Sequence, residues 1–149
     1  QKMSENMGRQ IVIDNRPSAG MIVSADVTLK AEPDGYTMVL SGNGSHEGDR
    51  EEALAVMEVF GQGPQAPPVV APKAILGETW GAAGPIALVT ALEAIRTATV
   101  PGHARGALLD PDLAGLNLPG QALAHPVRNA LVLECARTGH FSCMIVSEV

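Results

Sequence analysis

By type, the residues of this 149-residue chain that could do chemistry are four histidines, two cysteines, a short acidic run and a lone tryptophan. His46, His103, His125 and His140 fall where the pattern predicts loops. No two stand at metal-ligand spacing, so they read as solvated side chains. Cys135 and Cys143 form no CxxC pair and lie within apolar runs, where a free thiol is more often small core filler. A nucleophilic thiol needs a partly exposed, electropositive setting with a base beside it. No metal and no cofactor is expected. Glu47, Asp49, Glu51 and Glu52 gather at a predicted helix start, where carboxylates favour the helix dipole, and read as a solvated face rather than a cation site. Glu78 stands before a second helix and fits two roles, a dipole-favoured carboxylate or part of a ligand site. Trp80 reads as packed under the turn that opens this helix, with stacking on a substrate as the alternative.

The elements that must position these residues follow from hydrophobic period. QIVIDN (10–15) is a β-branched strand, and Pro17 and Gly20 mark the turn after it. Ile22, Val23, Val27 and Ala31 sit at helical spacing until PDG (33–35) stops the helix, and YTMVLSG (36–42) follows as a buried strand. Strand, helix and strand in that order favour parallel pairing with a right-handed crossover. A helix opening near Asp49, its expected N-cap, carries Ala53, Val56, Met57 and Phe60 on one face. GQGPQAPP (61–68) is a linker by composition, and VVAPKAIL (69–76) reads as a strand. From Ala82 to Thr97 the residues are small and apolar nearly all round, which predicts a buried helix with Leu88, Leu92 and Ile95 as its large side chains. A Pro- and Gly-rich loop with a short strand at GLNLPG (115–120) then leads to two neighbouring strands, NALVLECA (129–136) and FSCMIVSEV (141–149), joined by a hairpin at RTGH.

The bulk numbers fit one domain with a core of aliphatic residues, since apolar residues make up 46% of the chain and aromatics only 3%. A net charge of −6 argues against nucleic acid or an anionic membrane surface as partner, because both draw affinity from clustered Lys and Arg. No apolar run approaches the roughly 18 residues of a membrane span.

Two family resemblances divide the chain. DNRPSAG (14–20), AD (25–26) and AEPDGYTMVL (31–40) resemble the start of a periplasmic substrate-binding protein of the tripartite tricarboxylate transporter type, with runs like ENRPGAGG and APDGYTLLL. The resemblance implies a carboxylate-binding loop at Pro17, Ser18, Ala19 and Gly20, where backbone amides would hold a small organic acid. Ser18 and Met21 replace residues that are usually glycine in that family, and an ordinary strand-to-helix turn is the other reading of the loop.

From Ser41 onward the chain resembles the C-terminal half of a β-ketoacyl synthase. SGNGSHEGDREEALAVMEVFG is similar to the HGTGT stretch and its helix. APKAILGETWGAAGPIALVTALEAI is similar to the segment KSxxGHxxGAAG and the buried helix after it, and NALVLECARTGHFSCMIV is similar to the last two strands around a GFGGTN turn. The implied fold class is α/β, half of a thiolase-like fold with a βαβ start, a buried helix and a C-terminal strand pair. The two ancestries would join near residues 40 to 45 in a chimeric single domain, with 1–41 as the transporter-like segment and 42–149 as the ketosynthase-like domain. The resemblance places the catalytic positions at Ser41, Lys73 and Glu78. Lys73 matches the family's lysine, whereas Ser41 and Glu78 stand where condensing members have histidines. A serine carries no positive charge and an ionised glutamate would repel a developing enolate, so decarboxylative condensation should be crippled. The family's nucleophilic cysteine would lie upstream, in a half that this chain lacks. ALVL before the last turn is closer to the noncatalytic partners called chain-length factors.

The resemblances imply an inactive domain of fatty-acid or polyketide synthesis that pairs with a ketosynthase subunit or with itself and meets an acyl carrier protein in the cytoplasm. The alternatives are a periplasmic carboxylate-binding fragment and a nonfunctional fusion.

Overall fold

A computed structural model describes residues 36–103, 110–136 and 141–148. The strand and helix expected before Tyr36, the loop Pro17 to Gly20, His140 and the RTGH turn lie outside the described residues. Within them the chain is α/β, as the periodicity predicts. The strands are β1 (Tyr36–Val39), β2 (Val69–Val70), β3 (Thr99–Val100), β4 (Leu123–Ala124), β5 (Asn129–Cys135) and β6 (Phe141–Ser147), and the helices are α1 (His46–Phe60), α2 (Lys73–Leu76) and α3 (Ala83–Thr97).

The main sheet has the order β2-β1-β5-β6. β1 runs parallel to both neighbours, with Met38 opposite Val69 and Leu131. β6 returns antiparallel to β5, with Asn129 opposite Ser147 and Cys135 opposite Phe141. Side chains alternate across the sheet with period two. Val39, Ala130, Val132 and Val146 face one core together with Ala87, Ala91, Ala94 and Ile95 of α3. Met38, Leu40 and Leu131 face the other together with Val56 and Phe60 of α1. The sheet is therefore a middle layer with one helix on each face.

Local chemistry corrects several expectations from the pattern. The run 69–76 is not one strand. β2 ends at Val70, and Pro72, with helical φ and ψ of −58° and −32°, starts the single turn α2. Gly77 closes this turn by donating its N–H to the Lys73 carbonyl at 2.8 Å. The N-cap of α1 is Ser45, not Asp49; its Oγ accepts from Gly48 N at 3.1 Å, while Asp49 sits one turn in and accepts from Gly44 N. α3 is not buried all round. Its small residues Ala83, Ala87, Ala91 and Ala94 form the buried stripe, Leu88 and Leu92 are only partly buried, and Val89 is 59% exposed. Alanines let the helix axis approach the sheet closely, so the large side chains splay to its flanks. The short strand lies at Leu123–Ala124 rather than at 115–120, and it pairs with β3. Beside this pair a Cβ on Gly102 would stand 2.4 Å from the Gln121 carbonyl carbon, so only glycine permits the approach.

Candidate functional site

Parallel strands present their carboxyl ends at one edge of a sheet, and ligand sites of open α/β sheets form there. Ser41 follows β1, Lys73 follows β2 and Glu134 lies near the end of β5, so the topology brings three polar side chains from distant sequence to one edge. Lys73, with a side chain only 8% exposed, occupies the centre. Its Nζ donates to Ser41 Oγ at 3.2 Å and to Glu134 Oε2 at 3.2 Å, and Glu78 Oε1 lies 3.8 Å away. The three family positions Ser41, Lys73 and Glu78 thus converge, together with Glu134, which sequence reasoning missed. Its place inside an apolar strand run was the available signal, since a carboxylate there needs a partner.

The backbone at Ser41 is held from behind. Glu52 on α1 is 6% exposed, and its two carboxylate oxygens accept from Ser41 N at 2.8 Å and Gly42 N at 3.0 Å. This overturns its reading as part of a solvated acidic face. Burial raises the Glu52 pKa, the two N–H bonds oppose that, and the charges of Asp49 and Glu134 add to the rise. Gly42 adopts a left-handed φ of 47°, and a Cβ there would stand 2.7 Å from Ala71 Cβ. Only glycine lets the chain turn from β1 to offer both N–H groups to one carboxylate.

A cleft of about 460 Å³ opens over Lys73, Glu78 and Glu134, with Trp80, Cys135 and Phe141 among its lining residues. Trp80 is 78% exposed and does not pack under the turn. Its φ of 51° is the left-handed conformation that bulky residues rarely take, and it points the chain so that Trp80 N donates to Glu78 Oε1 at 3.0 Å. Cys135 is partly buried, and burial followed by the charges of Glu52 and Glu51 pushes its thiol pKa up. A thiol held protonated is a poor nucleophile. Among the described residues, His46, His103 and His125 do not line the cleft. His46 is the first residue of α1 and bonds Asp110 at 2.6 Å, and His103 is half-buried, with burial lowering its pKa. Among the described residues no His, Cys, Asp and Glu group could hold a metal ion.

Residues 25–106 match the family profile described as Beta-ketoacyl synthase, C-terminal domain. The chain belongs to this family. Residues 1–48 also match the Tripartite tricarboxylate transporter family receptor profile, so the two matches share residues 25–48. The ketosynthase-type domain is 36% identical over 107 residues to the granaticin polyketide putative β-ketoacyl synthase 2 of Streptomyces violaceoruber, covering 71% of this chain and 25% of that protein. A UPF0065 protein from the tcbD-tcbE intergenic region of Pseudomonas sp. strain P51 is 44% identical over 43 residues, 29% of this chain and 13% of that one. Solved structures agree on the fold. The ishigamide ketosynthase/chain length factor matches with a TM-score of 0.75 at 21% identity, covering 99% of this chain and 41% of that one. The AntDE:AntF complex, a type II polyketide synthase acyl-carrier protein with its ketosynthase bound to a hexaketide, matches with the same TM-score, identity and coverage. The chain therefore has half of the thiolase-like fold and spans about two-fifths of these ketosynthase chains.

Proposed function

We propose that this ketosynthase-type domain does not itself condense acyl chains and serves as the chain-length-factor-like half of a larger assembly. The observation that carries the reading is where the Lys73 protons point. Stabilising the enolate of a decarboxylating malonyl thioester needs donors aimed at the developing oxyanion. Here the buried ammonium of Lys73 has Ser41 and Glu134 as its hydrogen-bond acceptors and Glu78 as a third, longer contact. Ser41 Oγ in turn points at the Cys135 carbonyl, 3.4 Å away. Two carboxylates beside the reacting oxygen would raise the barrier.

In this reading residues 42–149 form the ketosynthase-like domain and 1–41 a transporter-derived lead segment. The partner is a ketosynthase subunit or a second copy of the chain, the carried substrate comes on an acyl carrier protein, and the setting is cytoplasmic. A second reading, a carboxylate-binding fragment that uses Pro17 to Gly20, is favoured by the receptor-profile match to residues 1–48.

Release of labelled CO2 from a malonyl thioester of an acyl carrier protein tests the first reading. The chain alone should release none above the uncatalysed background. Release that disappears on Lys73→Ala would overturn it.

A further inference from the structure

The loop between β1 and α1 carries a reactive pair that the cleft does not use. Asn43 is followed by Gly44, and a backbone nitrogen after asparagine can close on the side-chain carbonyl carbon to form a five-membered imide. Glycine favours this closure because it has no Cβ to crowd the attacking nitrogen. Gly44 is exposed, has a left-handed φ of 80°, and a Cβ built there would meet nothing within 4 Å, so that side of the residue is open.

Hydrogen bonds already grip both reacting groups. Asn43 Oδ1, the oxygen on which negative charge develops, accepts from Ser45 N at 2.8 Å. Gly44 N, the attacking atom, donates to both carboxylate oxygens of Asp49, at 3.1 and 3.3 Å. Cyclisation of an amide needs a donor at the developing oxyanion and a base at the proton to be lost, and the loop supplies both. Asp49 is only partly exposed, and its burial raises its pKa against the opposing backbone bonds from Gly44 and Asn43 and the charge of Lys73. A carboxylate shifted that way is a stronger base than a fully solvated one.

We propose that Asn43 and Gly44 form a self-modifying site, at which the folded chain converts Asn43 to isoaspartate and aspartate through a cyclic imide. The Gly44 N–H gives its proton to Asp49 while the nitrogen bonds Asn43 Cγ. The Cγ–Nδ2 bond then breaks, and the amine takes a proton and leaves as ammonia. Water adds to one of the two imide carbonyls and opens the ring. Opening at Cγ leaves aspartate, and opening at the backbone carbonyl leaves isoaspartate, whose main chain is one methylene longer. Either product sets a new carboxylate beside Asp49, and isoaspartate also displaces Ser45, the N-cap of α1. Ser41 and Gly42 directly precede the site, so the modification acts on the strand end that Glu52 holds. This inference is independent of the ketosynthase reading.

The full chain is incubated at neutral pH in water enriched in heavy oxygen, and peptides spanning Asn43 are followed by mass spectrometry with fragmentation that separates isoaspartate from aspartate. Label should enter at Asn43 with isoaspartate among the products, because direct hydrolysis of the side chain yields aspartate alone. Asp49→Asn should slow the reaction by about tenfold, less than a fully enclosed general base contributes. Asp49→Ser serves if Asp49→Asn lowers the folded fraction seen by circular dichroism. Three results would each overturn the inference: an unconverted folded chain over a period in which the urea-unfolded chain converts, aspartate as the sole product, or a folded Asp49 variant reacting within about twofold of the wild-type rate.

Discussion

A single carboxylate, Glu52, fixes where the strand β1 hands over to the cleft, because it collects two backbone N–H groups that would otherwise be orphaned under α1. Its burial makes the charged form costly, so its pKa in the folded chain lies above the ordinary 4.5. A raised carboxylate pKa means the folded state keeps a proton that the unfolded state has released. The stabilisation from this group is therefore fully present below the ordinary glutamate value and is lost as pH rises through the folded one. Urea unfolding of the wild type and Glu52→Gln at pH 4 and pH 7 measures this: the wild type should lose stability relative to the variant as pH rises, and a pH-independent difference would contradict the assignment. The sequence shows Glu52 only as one acid among four, since periodicity places it at a helix start without revealing that the strand end folds back over it. Lys73, Ser41 and Glu78 were legible as a group through family spacing. Glu134 was not, because parallel pairing of β1 with β5 is a long-range choice that no local pattern records.

At the scale of elements, α3 explains both what the pattern conveys and what it hides. An uninterrupted run of small apolar residues announces a helix against a sheet, yet with apolar residues on every side no polar stripe marks the outer face. Close approach selects the alanine face, leaving Ala91 fully buried and Val89 59% exposed. Ala91→Leu should therefore overpack the α3 to sheet contact and cost about 1–3 kcal/mol. Val89→Ala should stay within about 0.5 kcal/mol in the same urea titration, as exposed positions usually do. Equal effects at the two positions would place the wrong face on the sheet. The short turn α2 carries the same lesson, since Val69 to Leu76 has strand-like composition until Pro72 redirects it. That redirection is what delivers Lys73 to the edge of the sheet.

For the whole molecule, the described residues form one three-layer unit whose sheet edge is tied together by charge. Lys73 stands just past β2 and Glu134 near the end of β5, with β1 between these strands, so their contact bridges the sheet across a central strand. This bridge is the central feature of the proposed function, in which it withholds Lys73 from an oxyanion. Its strength is measurable in the global unfolding of four proteins, the wild type, Lys73→Met, Glu134→Gln and the double variant. A favourable coupling of about 1 kcal/mol or more between the two positions is expected for a largely buried ion pair. Additivity of the two single changes to within about 0.5 kcal/mol would show that Lys73 is not held by Glu134 and would contradict the reading of the cleft.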